Sequence, residues 1–83
     1  MTLTAELSLY PLNADYIPII QQFIDELNER AGLTVVTNAM STQIRGEHDA
    51  VMAAVSDTLR ESARRAGNQV LVCKFLPMAL DIA

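Results

Sequence analysis

An α+β sandwich of order β-α-β-β-α-β is the architecture these 83 residues predict, and three observations predict it. Leu3, Ala5, Leu7 and Leu9 alternate with polar residues, the period of a half-buried strand. Two longer segments repeat their apolar residues at helical spacing instead, one before Gly32 and one before Gly67. Gly32 is followed at once by a run rich in β-branched residues, and Gly67, after Asn68 and Gln69, by the apolar run Val70 to Phe75, with no Ser/Gly-rich linker in the chain. Right-handed crossovers then place both helices on one face of a four-stranded antiparallel sheet, a ferredoxin-like arrangement, and leave the other face bare.

In the first strand, Thr4, Glu6, Ser8 and Tyr10 form the polar face, and Pro11 is expected to end it. Asn13 or Asp15 can cap a helix whose first turn accepts Pro18, because amides there have no helical partner. Tyr16, Ile20, Phe23, Ile24, Leu27 and Ala31 line its apolar face, and Gly32 offers the left-handed residue that stops it. Leu33 to Ala39 reads as the second strand and about Ser41 to Arg45 as the third. Between them there is no Asn-Gly or Asp-Gly, so an irregular turn over Asn38 to Ser41 is expected, and Gly46 should break the third strand. The second helix runs from Glu47 to Ala66, with Val51, Val55, Leu59 and Ala63 on its buried face and Met52 and Ala66 beside them. Glu47 and Asp49 suit its positive end, Glu61 can pair with Arg65, and Gly67 closes it. Val70 to Phe75 is the fourth strand, ended by Pro77.

Length permits one domain over residues 1–83, burying only roughly 60 to 65 % of its unfolded surface. Composition is 51 % apolar with no Trp, so Ile, Leu, Val, Ala and Met must build the core. That excess points to a further buried surface between subunits. The tail Met78 to Ala83 alternates Met78, Leu80 and Ile82 and is expected to dock on a neighbouring subunit. A net charge of −4 repels a phosphate backbone and argues against nucleic acid. Cys73 has no disulfide partner, and Met-Thr-Leu-Thr-Ala-Glu has neither the basic nor the long apolar segment of a signal peptide, so a cytoplasmic protein with no membrane partner is expected.

Catalysis is not expected. His48 is the only histidine and lies far along the chain from Cys73, so no nucleophile and base pair forms, and neither has metal-ligand spacing. Cys73 reads as a packing residue and His48 as a polar helix start. Arg60, Arg64 and Arg65 read as a solvated face balanced by Asp57 and Glu61. A phosphate-cradling enzyme on this frame needs an arginine loop after the first strand, where Pro-Leu-Asn-Ala-Asp stands instead. An RNA-recognition module needs exposed aromatics on its central strands, where Ser41, Thr42, Gln43, Ile44 and Arg45 stand.

The polar-aromatic segments at strand ends remain: Ser-Leu-Tyr-Pro-Leu at residues 8 to 12, Thr-Asn-Ala-Met-Ser-Thr-Gln at 37 to 43, and Gly-Glu-x-Asp-x-Val-Met at Gly46 to Met52. In this order and at these spacings the chain resembles the thiamine-binding, YkoF-like family. The resemblance covers nearly the whole chain and implies small ferredoxin-like subunits that associate through their sheets and bind thiamine or its hydroxymethylpyrimidine part. Some relatives carry two such repeats, so a single copy implies a homodimer or a dimer of dimers.

Thiamine makes chemical sense of the inventory: a cationic ring, an aminopyrimidine edge, and two faces suited to aromatic or thioether contact. The candidate ligand residues are Ser8, Tyr10, Asn38, Met40, Ser41, Thr42 and Gln43. Tyr10 can stack, Met40 can fill beside the ring, and Asn38, Ser41, Thr42 and Gln43 can address the pyrimidine edge. Glu6, Glu47 or Asp49 can balance the charge. Thiamine is here a ligand and not a cofactor, and no metal is implied. Each of these residues has a plainer use: Tyr10 in an interface, Met40 in the core, Ser41 and Thr42 on turn backbone, and Asn38 as a left-handed turn residue. On that plainer account the protein is a structural or regulatory homo-oligomer.

Overall fold

The computed structural model describes residues 1–83. The elements follow in the expected order: β1 (Thr2–Pro11), α1 (Tyr16–Asn28), β2 (Thr34–Thr37), β3 (Thr42–Glu47), α2 (His48–Ala66) and β4 (Gln69–Leu76). The strands form one sheet of order β2-β3-β1-β4, with every neighbouring pair antiparallel. This is the ferredoxin-like α+β sandwich, with β1 inside the sheet and both helices on one face.

The alternation in β1 sends Leu3, Ala5, Leu7 and Leu9 into the core, where they meet Ile44 of β3, Phe23 and Leu27 of α1, and Val51 and Ala54 of α2. Burying a side chain of this size contributes about 1.5–3 kcal/mol, so this cluster holds the two layers together.

β1 ends at Pro11 as expected, and that proline is its last paired residue, opposite Gln69. Several other local expectations are corrected by packing. α1 ends at Asn28, short of Ala31, and a turn through Glu29 and Arg30 leads to Gly32 at φ +80°. β2 is only Thr34–Thr37, shorter than the β-branched run implies, because β3 begins at Thr42, opposite Thr37. Gly46 sits within β3 and does not break it. A Cβ on Gly46 would lie 2.7 Å from the Gly32 carbonyl oxygen and 2.9 Å from Leu33 Cδ2, so this glycine serves close approach and not a break.

α2 begins at His48, with Glu47 in the cap position, and its buried line differs from the expected one. Val51, Ala54, Thr58 and Ser62 are buried, Val55 and Leu59 lie at the flank, and Met52 and Ala63 are exposed. Two hydroxyls can enter the interior because both are satisfied: Thr58 Oγ1 donates to the Ala54 carbonyl at 2.6 Å, and Ser62 Oγ donates to Gln69 Oε1 at 2.9 Å. Arg65 lies 3.8 Å from Glu61 but reaches Glu26 of α1 at 2.7 Å, so its short ion pair joins the two helices.

The tail lies back on its own sheet. Thr4 Oγ1 donates to the Met78 carbonyl at 2.8 Å and accepts from the Leu80 N–H at 3.3 Å, while Arg45 donates to the Leu80 carbonyl at 2.6 Å. This strap covers one end of the face away from the helices and leaves Thr4 only 2 % exposed on the strand's polar side. No helix is long and apolar enough to cross a membrane.

Candidate groove at the end of the first strand

β1 outruns β3. The β1–β3 ladder ends at Leu7↔Thr42, whereas the β1–β4 ladder continues to Pro11↔Gln69. Ser8 to Pro11 therefore have a strand neighbour on one side only. Facing the vacant side are the β2–β3 turn at 38–41 and the N-terminal half of α1, and between them lies a groove of about 440 Å³. Its volume is in the range of small-molecule sites. Leu7 and Leu9 contribute its apolar part with Tyr16, Ile20, Phe23 and Ile24 of α1.

Six of the seven candidate residues come together here: Ser8, Tyr10, Asn38, Met40, Ser41 and Thr42 all line the groove. Gln43 does not. It points to the open sheet face, where its Nε2 donates to Ser41 Oγ at 2.7 Å. One step along a strand reverses the side-chain direction, and that step separates Gln43 from Thr42.

Asn38 organises the turn. Its Oδ1 accepts from the Met40 N–H at 2.8 Å and the Ser41 N–H at 3.1 Å, while its own N–H donates to the Ser41 carbonyl at 3.0 Å. The side-chain oxygen is thus committed to the turn, and Nδ2 is the part left for a ligand. No left-handed backbone is needed: positive φ occurs only at Gly32 and Gly67. Met40 is 85 % exposed at the turn tip and does not join the core. Thr42 is buried, and its hydroxyl shares a hydrogen bond with that of Thr37 at 3.0 Å. Tyr10 is 56 % exposed at the rim, on the same strand face as Ser8.

A polar relay runs across the open face beside the groove. Lys74 Nζ lies 2.9 Å from Glu6 Oε1, and Ser41 Oγ donates to Glu6 Oε2 at 2.8 Å. The Lys74 ammonium, aided by the Ser41 hydroxyl, holds the Glu6 carboxyl below its ordinary value, and Glu6 in turn raises Lys74. The relay fixes Ser41. Of the three acidic residues that sequence offered as counter-charges, Glu6 is the nearest, and its charge is already matched. Glu47 stands opposite Thr2, eight residue steps or roughly 26 Å from Tyr10 along β1, and pairs with the N-terminal amine at 3.1 Å. Asp49 is two residues beyond it, with its carboxylate 2.9 Å from His48 Nδ1.

The α1 wall was hidden in the sequence. Tyr16, Ile20 and Ile24 repeat at four-residue spacing, the same signal whether a stripe meets a core or lines a groove. Only Tyr16, half-exposed in the first helical turn, hints at the second use. Cys73 faces the helices opposite Leu7, outside the groove, and burial pushes its thiol up. No group of three His, Cys, Asp or Glu side chains is placed to hold a metal ion.

The model of the YKOF-related family matches residues 2–78. No curated protein matches the chain. Among solved structures, a Streptococcus pneumoniae protein is 26 % identical, with 99 % of this chain and 90 % of that one covered and a TM-score of 0.85. A candidate thiamine biosynthesis/salvage protein from Thermotoga maritima is 19 % identical over 90 % of this chain and 82 % of its own, with a TM-score of 0.80. A hypothetical protein from Methanocaldococcus jannaschii is 24 % identical over 94 % and 81 %, with a TM-score of 0.81. The last two likenesses are likenesses of fold.

Proposed function

The chain belongs to the YKOF-related family, and from that premise we propose that its groove captures thiamine, or the hydroxymethylpyrimidine part of it, without transforming it. The observation that carries this reading is the convergence of Ser8 and Tyr10 with Asn38 to Thr42 around one groove, which Tyr16 and Phe23 of α1 also line. Aromatic walls with a few polar groups at one edge suit a flat ring that is polar on its rim. The Thermotoga fold neighbour, described as a candidate thiamine biosynthesis/salvage protein, points the same way.

Binding without turnover is favoured because the one thiol is held away from its thiolate by burial and stands on the sheet opposite Leu7, while His48 stands at the other end of the sheet, its N–H on the Met1 carbonyl. The proposed setting is the cytoplasm. A second reading, assembly of copies through their sheets as a homodimer or dimer of dimers, is favoured by the open face, where Val70 and Val72 of β4 lie exposed beside Tyr10. The two readings are compatible.

Calorimetric titration with thiamine and with hydroxymethylpyrimidine tests the first. The expected result is a Kd on the order of micromolar, weakened about tenfold by Tyr10→Ala as a stacking contact is lost. No heat from either compound overturns the binding reading. Sedimentation velocity tests the second, and a folded monomer at micromolar concentration overturns it.

A further inference from the structure

Resting on the binding reading above, we infer that the backbone edge of Leu9 is the groove's hydrogen-bonding site, and that it takes a planar heteroaromatic ring with a ring-nitrogen acceptor beside an exocyclic amino donor. Consecutive residues of an antiparallel strand direct their N–H and C=O groups to alternate sides. Two hydrogen bonds fix the phase in β1: the Leu12 N–H donates to the Asn68 carbonyl on the β4 side at 3.0 Å, and the Met1 carbonyl accepts from the His48 N–H on the β3 side at 2.8 Å. Both ladders keep a constant register with no bulge. Even-numbered residues therefore face β4 and odd-numbered residues face β3.

β3 begins at Thr42, opposite Leu7. Leu9 is the first odd residue past the ladder, and its N–H and C=O point into the notch between β1 and the β2–β3 turn. The turn's backbone closes on itself, Asn38 N–H to Ser41 carbonyl, and does not reach across. Pro11, the next odd residue, has no N–H, which also explains how a proline sits at the end of a strand at no cost in ladder bonds. The notch thus holds one donor and its adjacent acceptor, on a groove-lining residue only 7 % exposed.

A strand residue pairs through a donor and an acceptor side by side. An aminopyrimidine edge presents the complement: ring nitrogen to N–H, amino group to C=O. A ring held this way continues the plane of the sheet, with one face toward Ile20 and Ile24 of α1. A peptide strand is poorly served, since a single residue of open edge gives it one pair only. In the orientation that the thiazolium substituent imposes on the ring, the 4-oxo analogue reverses both groups, setting donor against donor and acceptor against acceptor. Turning the ring over to restore the pair would carry that substituent to the other side of the site.

The test is a chemically synthesised chain in which the Leu9 residue is replaced by its α-hydroxy acid, so that an ester removes the N–H and keeps the side chain. Since that N–H has no partner in the free protein, the melting temperature stays within about 2 °C of the natural chain, while affinity for thiamine falls about tenfold. The same ester at Leu7, which faces Thr42, lowers the melting temperature. The natural chain binds the 4-oxo analogue about a hundredfold more weakly than thiamine. Thiamine binding that survives the Leu9 ester unchanged, or a 4-oxo analogue that binds equally well, overturns the inference and leaves the binding reading standing. An ester at Leu9 that unfolds the chain overturns it as well, by showing the N–H to be engaged. A natural chain that binds no thiamine overturns the binding reading and this inference together.

Discussion

The two ends of β1 are built from the same alternation and do different things. From Thr4 to Leu7 the strand has a neighbour on each side, the helices beneath it, and the tail strapped across its start through Thr4 and Arg45. From Ser8 to Pro11 it has one neighbour, and the space left by the other is the groove. Packing density is spent at one end and withheld at the other. An unpaired strand edge commonly lies bare on the outside of a sheet, and here it is sheltered by α1 and a turn.

Truncating the core at the two ends is the strongest way to break this comparison. Leu27, fully buried on the last turn of α1, should cost about 2–5 kcal/mol on Leu27→Ala in urea denaturation. Ile20→Ala, on the groove wall, should cost under half as much while weakening the ligand. Equal losses at both positions would show that the groove end is packed like the rest. Gly46→Ala sharpens the picture of the closed end: its methyl meets the Gly32 backbone oxygen, which cannot swing aside as a side chain can, and a loss of about 1–3 kcal/mol is expected. A neutral result would mean that the β3 start of α2 yields easily.

The smallest effect is electrostatic and sits at the junction of the two ends. Lys74 and Ser41 stabilise the Glu6 carboxylate, so its folded value lies below its ordinary 4.5. A depressed acid contributes stability that is full above 4.5 and is lost as pH falls through the folded value. Comparing the chain with its Glu6→Gln variant by urea midpoint from pH 7 to pH 3 should therefore show a small deficit at neutral pH that closes below 4.5. The pair is exposed to solvent, so the deficit should also shrink with added salt. A deficit constant across that range would remove the relay's role in holding Ser41.

Much of the fold was legible because its signals are local. The two-residue period of Leu3 to Leu9 needs only a core on one side, and the stripe from Tyr16 to Leu27 needs only a surface to cover. The two turns that required positive φ took glycine, at Gly32 and Gly67. The strand-end segments meet in the fold, where Ser8, Tyr10 and four of the five residues from Asn38 to Thr42 line one groove as candidates. α2 was misread at its middle because Thr58 and Ser62 look solvent-facing until Ala54 and Gln69 supply their partners. Gly46 was misread because the atoms it makes room for come from Gly32 and Leu33, more than ten residues away in sequence.

By itself, then, the sequence determined the order of the elements and the buried face of β1 and α1, since these are written in the spacing of neighbouring residues, while the family rests on the match over residues 2–78. Only the tertiary structure decided which face of α2 is buried, where the tail rests, and that a groove exists at all. The groove is the difference in length between two ladders that share one strand, and no residue in either ladder encodes a difference between them.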